Sequence, residues 1–242
     1  MTKILILLPQ QDFDPTEVAV PWKAWTDAGC HLTFASELGT AANCDWITLM
    51  GEELPFWAKS LVAKPENASL YVEMVHSEAF QHPVKWSDVR VSDYGHFHFP
   101  GGHAPGMRPY CESSEVQRIA KEAFAADLPV SAICHGVLPL ARAGVLKGRK
   151  TTALTTTMER FAIALTNGRL GDHYRTYSET VESEVKRMLA KPSDFDTGPL
   201  IPRFATKSNP EIGFAVRDGN YVSARFPGDA WTMATEVLRL LL

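Results

Sequence analysis

Short apolar runs alternating with amphipathic stretches predict an α/β fold with a central, mostly parallel sheet. Three observations carry this. Residues 3–8 (KILILL) are apolar without alternation and stop at Pro9, as a strand covered on both faces does. A helix and a second strand follow at once, and short connections make that unit a right-handed crossover between parallel strands. The same order returns after Asp93, in residues 94–134.

The elements follow in order. Asp14, Pro15, Thr16 and Glu17 read as a helix start, with Asp14 as N-cap, Pro15 first and Glu17 as capping-box partner. Val18, Trp22, Trp25 and Ala28 continue a helical stripe that Gly29 ends. Residues 31–35 are the next strand. Residues 36–93 are less regular: Trp46, Met50, Leu54, Phe56 and Trp57 fit neither period, and helix is expected around 67–80. This segment reads as an insertion or cap on a single domain spanning residues 1–242. Residues 94–99 form a strand before a Pro- and Gly-rich turn. Residues 114–126 form an amphipathic helix carrying Val116, Ile119, Ala120 and Phe124 on one face. Residues 129–134 are a buried strand, His135 and Gly136 a tight turn, and 137–143 a helix closed by Gly144. A further strand is expected at 150–155 and a polar helix near 178–190. A hairpin turns at Asp218, Gly219 and Asn220, and a last helix follows.

Composition bounds the function. The chain has 242 residues, 45% apolar and 21% charged, with net charge −4. That balance is globular, and no Lys/Arg run marks a nucleic-acid binder. Residues 4–8 are far short of a membrane span and no cleavage pattern follows them, so a cytoplasmic protein without membrane or nucleic-acid partners is expected. Cys30, Cys44, Cys111 and Cys134 form no CxxC pair and are expected as free thiols.

In open α/β sheets, reactive sites lie beyond the carboxyl ends of the strands. Cys134 stands there between a strand and a helix, whose N-terminus is expected to lower the thiol pKa. Gly101 and Gly102 follow another strand, and their amides, with that of His135, are placed to hold an oxyanion. Glu17 has two readings: it completes the capping box, or it faces the thiol from the end of the first strand. Pro21 cannot donate to the Glu17 carbonyl, so the helix is expected to break or bend there. His96 and His98 share one face of a strand; packing within the sheet is favoured over a metal site, since no third ligand is evident. His103 lies near the cleft rim. Residues 172–177 have two readings, lining of a substrate pocket or solvated surface, of which the second is favoured, and the six tryptophans are mostly expected in core or interface positions.

Together, residues 15–21 (PTEVAVP), 99–103 (FPGGH) and 132–136 (AICHG), with weaker support from 226–230 (FPGDA), resemble the ThiJ/PfpI (DJ-type) family of the class I glutamine amidotransferase-like superfamily. The insertion resembles that of the longer, chaperone-associated members. The resemblance implies a flavodoxin-like three-layer sandwich, with Cys134 as nucleophile and Glu17 hydrogen-bonding its sulfur. It also implies His135 beside the nucleophile, and Gly102 and the His135 amide as oxyanion donors. Members often place an acid or histidine after the next strand to orient the catalytic histidine. Here that stretch is Thr155, Thr156 and Thr157, so Glu159 reaches in, Asp172 does, or no full triad exists. The resemblance implies a cysteine-dependent hydrolase or lyase-like enzyme acting on amides, peptides or small reactive carbonyls. It also implies a homodimer, without cofactor or metal. The alternatives are a redox-sensing stress protein using the same oxidisable cysteine, and a holdase-like chaperone.

Overall fold

A computed structural model of the chain describes residues 1–241. β1 (Lys3–Leu7) leads through α1 (Pro15–Asp27) to β2 (His31–Ser36). Next come α2 (Trp46–Met50), α3 (Pro65–Val75), α4 (Glu78–Gln81) and β3 (Val84–Lys85). β4 (His96–Phe99), α5 (Arg108–Glu112), α6 (Ser114–Ala125), β5 (Val130–Ile133) and α7 (Leu138–Arg142) complete the core of the sheet. α8 (Thr156–Leu170), α9 (Val181–Met188), β6 (Ala215–Asp218), β7 (Tyr221–Ala224) and α10 (Ala230–Leu241) follow.

The strands form one sheet in the order β3-β2-β1-β4-β5-β7-β6. Every pairing is parallel except β6 with β7. Ile4, Leu5, Ile6 and Leu7 are wholly buried, which is why their run lacks alternation. From β1 the chain moves one way to β2, and from β4 the other way to β5. Right-handed crossovers therefore put α1 and α6 on opposite faces. α1 packs against α3 and α10, and α7 against α6 and α9. The reversal between β1 and β4 opens a crevice at the carboxyl ends of β1, β4 and β5.

Two local expectations are corrected. Residues 150–155 do not form a strand; Thr151 makes only an isolated bridge to Phe195. The far side of β7 is already paired with β6, so this segment is tied to β7 by side chains instead. Ser223 Oγ accepts from the Thr152 amide at 2.9 Å, and Thr151 Oγ1 lies 3.0 Å from the Tyr221 hydroxyl. Second, α1 runs through Pro21 without a break. The Glu17 carbonyl that Pro21 cannot serve accepts from His98 Nε2 at 3.1 Å. Of the tryptophans, Trp22, Trp25, Trp86 and Trp231 are buried, and Trp46 and Trp57 are exposed. No helix among the described residues is long and apolar enough to cross a membrane.

The 36–93 segment supplies short helices and one edge strand. Trp46, Met50, Leu54, Phe56 and Trp57 follow no single period because they fall in the five-residue α2, a short 3₁₀ turn and the loop between them, ahead of the longer α3. Asp45 caps α2 by accepting from Ile47 N and Thr48 N, and Gly51, at φ +69°, closes it.

Candidate active site

Cys134 follows directly on β5 with φ +57°, a left-handed conformation that few non-glycine residues adopt. The chain turns sharply there because Gly136 passes against the β4 terminus. A Cβ at Gly136 would stand 2.1 Å from the Phe99 carbonyl oxygen, so only glycine fits. Gly101 does the same work from the other side. A Cβ there would stand 2.8 Å from Cys134 Cβ, Glu17 Oε2 and the His135 amide nitrogen, and these three groups converge on it.

Glu17 reaches this point from the first turn of α1. Asp14 Oδ1 accepts from Thr16 N at 2.8 Å and Glu17 N at 3.1 Å, as an N-cap should. The reciprocal half of the capping box is absent. The Asp14 amide donates to the Gly101 carbonyl, and Glu17 Oε2 accepts from Gly101 N at 2.9 Å. Glu17 is wholly buried, and burial followed by the charge of Asp14 pushes its carboxyl well above the usual range. Its carboxyl is thereby held towards the protonated, uncharged form. Asp14 is pushed up to about 7, mainly by burial.

The expected lowering of the thiol pKa is reversed. Cys134 is only 4% exposed, and burial above all pushes its thiol up. The His135 amide opposes this. The helix dipole is too weak to prevail, since residues 134–137 form a single 3₁₀ turn and α7 is five residues long. The His135 ring places Nδ1 3.6 Å from the sulfur. Burial also keeps this ring neutral, pushing it well below the usual histidine range.

Of the acids proposed to meet His135, the structure brings Glu159 and not Asp172. Asp172 is exposed and pairs with Arg175 at 3.1 Å. Glu159, one turn into α8, is buried, and its carboxyl lies within 4.8 Å of ring nitrogens of His135 and His103. Burial pushes it up to about 7, against a hydrogen bond from the Val181 amide. Thr155 is the N-cap of α8, its hydroxyl accepting from Met158 N.

A cavity of about 240 Å³ opens over Cys134, with Glu17, Gly102 and His103 also in its wall. Its remaining lining is mostly apolar. The insertion contributes Leu61 and Val62, α8 contributes Met158 and Phe161, and the C-terminal part contributes Phe204 and Phe226. Tyr174 also lines it and is buried, so residues 172–177 are not all solvated surface. Its hydroxyl donates to Asp45 Oδ2 at 2.8 Å, linking that loop to the insertion. Pocket lining is the less favoured of the two readings that the sequence gives residues 172–177, and Tyr174 bears it out; nothing local marks Phe204 or Phe226 as site residues.

His96 and His98 pack inside the sheet, both edge-on to Trp25. The carbonyl of Glu17 can only accept, so His98 carries its proton on Nε2. Its Nδ1 then accepts from Ser131 Oγ at 2.9 Å, and Ser131 in turn accepts from His96 Nε2 at 2.9 Å. Cys30, Cys44 and Cys111 are free; Cys111 is buried against this turn, its Sγ donating to the His135 carbonyl at 3.8 Å.

The family model described as ThiJ/PfpI family-like matches residues 8–199. The deglycase PfpI of Pyrococcus furiosus is 28% identical over 166 residues, 69% of this chain and 74% of that protein. The glutathione-independent glyoxalase hsp3102 of Schizosaccharomyces pombe is 24% identical over 226 residues, 93% of this chain and 87% of that protein. Among solved structures, glyoxalase III from Candida albicans superposes with a TM-score of 0.68 at 22% identity, covering 99% of this chain and 97% of that one. With the motifs seated around the crevice between β1, β4 and β5, the chain belongs to the ThiJ/PfpI family.

Proposed function

We propose that the protein is a cysteine-dependent enzyme that acts on small reactive carbonyl compounds, in the manner of a deglycase or glyoxalase. The observation that carries this reading is the setting of Cys134. Its strained backbone presents the sulfur to a small, mostly apolar cavity, between a neutral Glu17 and an imidazole nitrogen 3.6 Å away. About 240 Å³ falls below the ~300–1,000 Å³ usual for ligand pockets, which favours a short carbonyl over a peptide. The deglycase and glyoxalase names of the relatives support the same substrate class.

In this reading the Cys134 sulfur attacks the carbonyl carbon. A carbon–sulfur bond forms, and the carbonyl π pair moves to oxygen. The thiol proton passes to His135 Nδ1 and from there to the new alkoxide, giving a hemithioacetal. The amides of Gly102 and His135 hold the developing oxyanion, while Gly101 N is committed to Glu17. Glu17, kept protonated, adds no negative charge beside the sulfur. Glu159 faces His135 as the acid partner of the imidazole. Burial of Cys134 weighs against a freely accessible redox sensor.

The test is methylglyoxal consumption by wild type, Cys134→Ser and His135→Ala. Cys134→Ser should abolish turnover, and His135→Ala should lower kcat by about 10²–10⁴-fold. Turnover at the wild-type rate in Cys134→Ser would falsify the reading.

A further inference from the structure

The His135 ring has a second nitrogen that does not meet the sulfur. Its Nδ1 looks at the sulfur, while its Nε2 is buried without a hydrogen-bond partner. His103 Nε2 is buried and equally unpartnered. The two rings lie 5.1 Å apart between centroids, tilted by 39°. Glu159 completes the group: one ligand atom from each of the three residues lies within 4.8 Å of the others. A buried ring nitrogen without a partner costs free energy, and here two such nitrogens stand beside one carboxyl.

We propose that His103, His135 and Glu159 form a site for a divalent transition-metal ion, zinc by preference, beside the Cys134 thiol. Two imidazoles and one carboxylate are a donor set that suits zinc, leaving a fourth position open. Ligands on a tetrahedral zinc stand about 3.3 Å apart, so modest side-chain rotation closes the set around an ion. The groups that hold the ligands are already in place. Glu159 Oε2 accepts from the Val181 amide at 2.9 Å, which anchors the carboxylate. The His103 carbonyl accepts from Thr176 Oγ1 at 2.7 Å, and its ring rests 5.5 Å from that of Tyr174. His103 and Cys134 both border the cavity, which gives an ion its route in.

One consequence rests on the function proposed above. Zinc on His135 Nε2 leaves the ring proton on Nδ1, so the ring can no longer take the thiol proton. The metal then acts as a reversible brake on turnover, released by a chelator.

The experiment titrates the full chain with cobalt(II), whose visible absorption reports coordination geometry without any activity measurement, and then competes it with zinc. Wild type should bind one cobalt saturably, and zinc should displace it. His103→Gln and Glu159→Gln should each bind at least ~10-fold more weakly, the lower end of what even outer partners of a metal are worth. Cys134→Ser should keep the cobalt spectrum, because the sulfur is not a ligand. Circular dichroism checks folding, and should one variant fail to fold the other decides. No saturable binding, unchanged binding in the folded variants, or loss of the spectrum in Cys134→Ser would each overturn the site. Cobalt binding as expected, with methylglyoxal turnover absent, would leave the metal site standing and remove the proposed function instead.

Discussion

Glu17 shows how one side chain acquires a role through what surrounds it. Its position three residues after Asp14 is that of an ordinary capping-box acid, and its backbone serves as one, donating to Asp14. Its carboxyl leaves the cap because Gly101 brings an amide within 2.9 Å, inside a region that excludes water. Burial raises the folded pKa above 4.5, so the native state keeps a proton that the unfolded chain releases. Stability is then lost progressively as pH rises above that value towards the folded pKa. Glu17→Gln carries no such proton. The melting temperature of Glu17→Gln relative to wild type should therefore climb as pH rises above about 5 into the alkaline range. Thermal denaturation across that range checks it, and a constant difference would contradict the neutral-acid assignment.

Helix α1 contains a proline in its interior, and the sheet compensates for it. Pro21 has no N–H for the Glu17 carbonyl, and His98 supplies one from β4. Leucine at position 98 would leave that buried carbonyl bare, at a cost of about 1–3 kcal/mol. Pro21→Ala returns a backbone donor within the helix. The penalty of His98→Leu should therefore be smaller in the Pro21→Ala background, with a coupling of about 0.5–3 kcal/mol in a urea-denaturation double-mutant cycle. Additive effects would mean that His98 and Pro21 do not answer one another. The presence of α1 was legible from Asp14, Pro15 and its apolar stripe. Its continuity through Pro21 was not, because the missing partner lies 81 residues away.

For the molecule as a whole, the C-terminal third closes the cavity and is held by one buried ion pair. Arg225 Nε donates to Asp229 Oδ2 at 2.8 Å, with both side chains almost fully buried. Arg225 also donates to the Thr197 and Pro199 carbonyls, and Asp229 accepts from Phe214 N. The pair thus ties the end of β7, the start of α10 and the loop that leads to Phe204. Asp229→Ala should cost about 3–5 kcal/mol, because it strands a buried guanidinium. Denaturant titration measures that loss. Steady-state kinetics at a temperature where the variant remains folded should show KM rising, as the wall carrying Phe204 and Phe226 loosens. An unchanged stability would show the pair to be replaceable by solvent.

The strand and helix order, the parallel character of the sheet and the three strand-end motifs were readable in the chain, because periodicity, capping and tight turns act between near neighbours. The absence of a strand at 150–155 was not, since β6 had already taken the free edge of β7. The choice of Glu159 over Asp172 beside His135 and the upward push on the Cys134 thiol were equally hidden. Each depends on which distant segments come together and exclude water, and burial arises from that packing and not from any local run of residues.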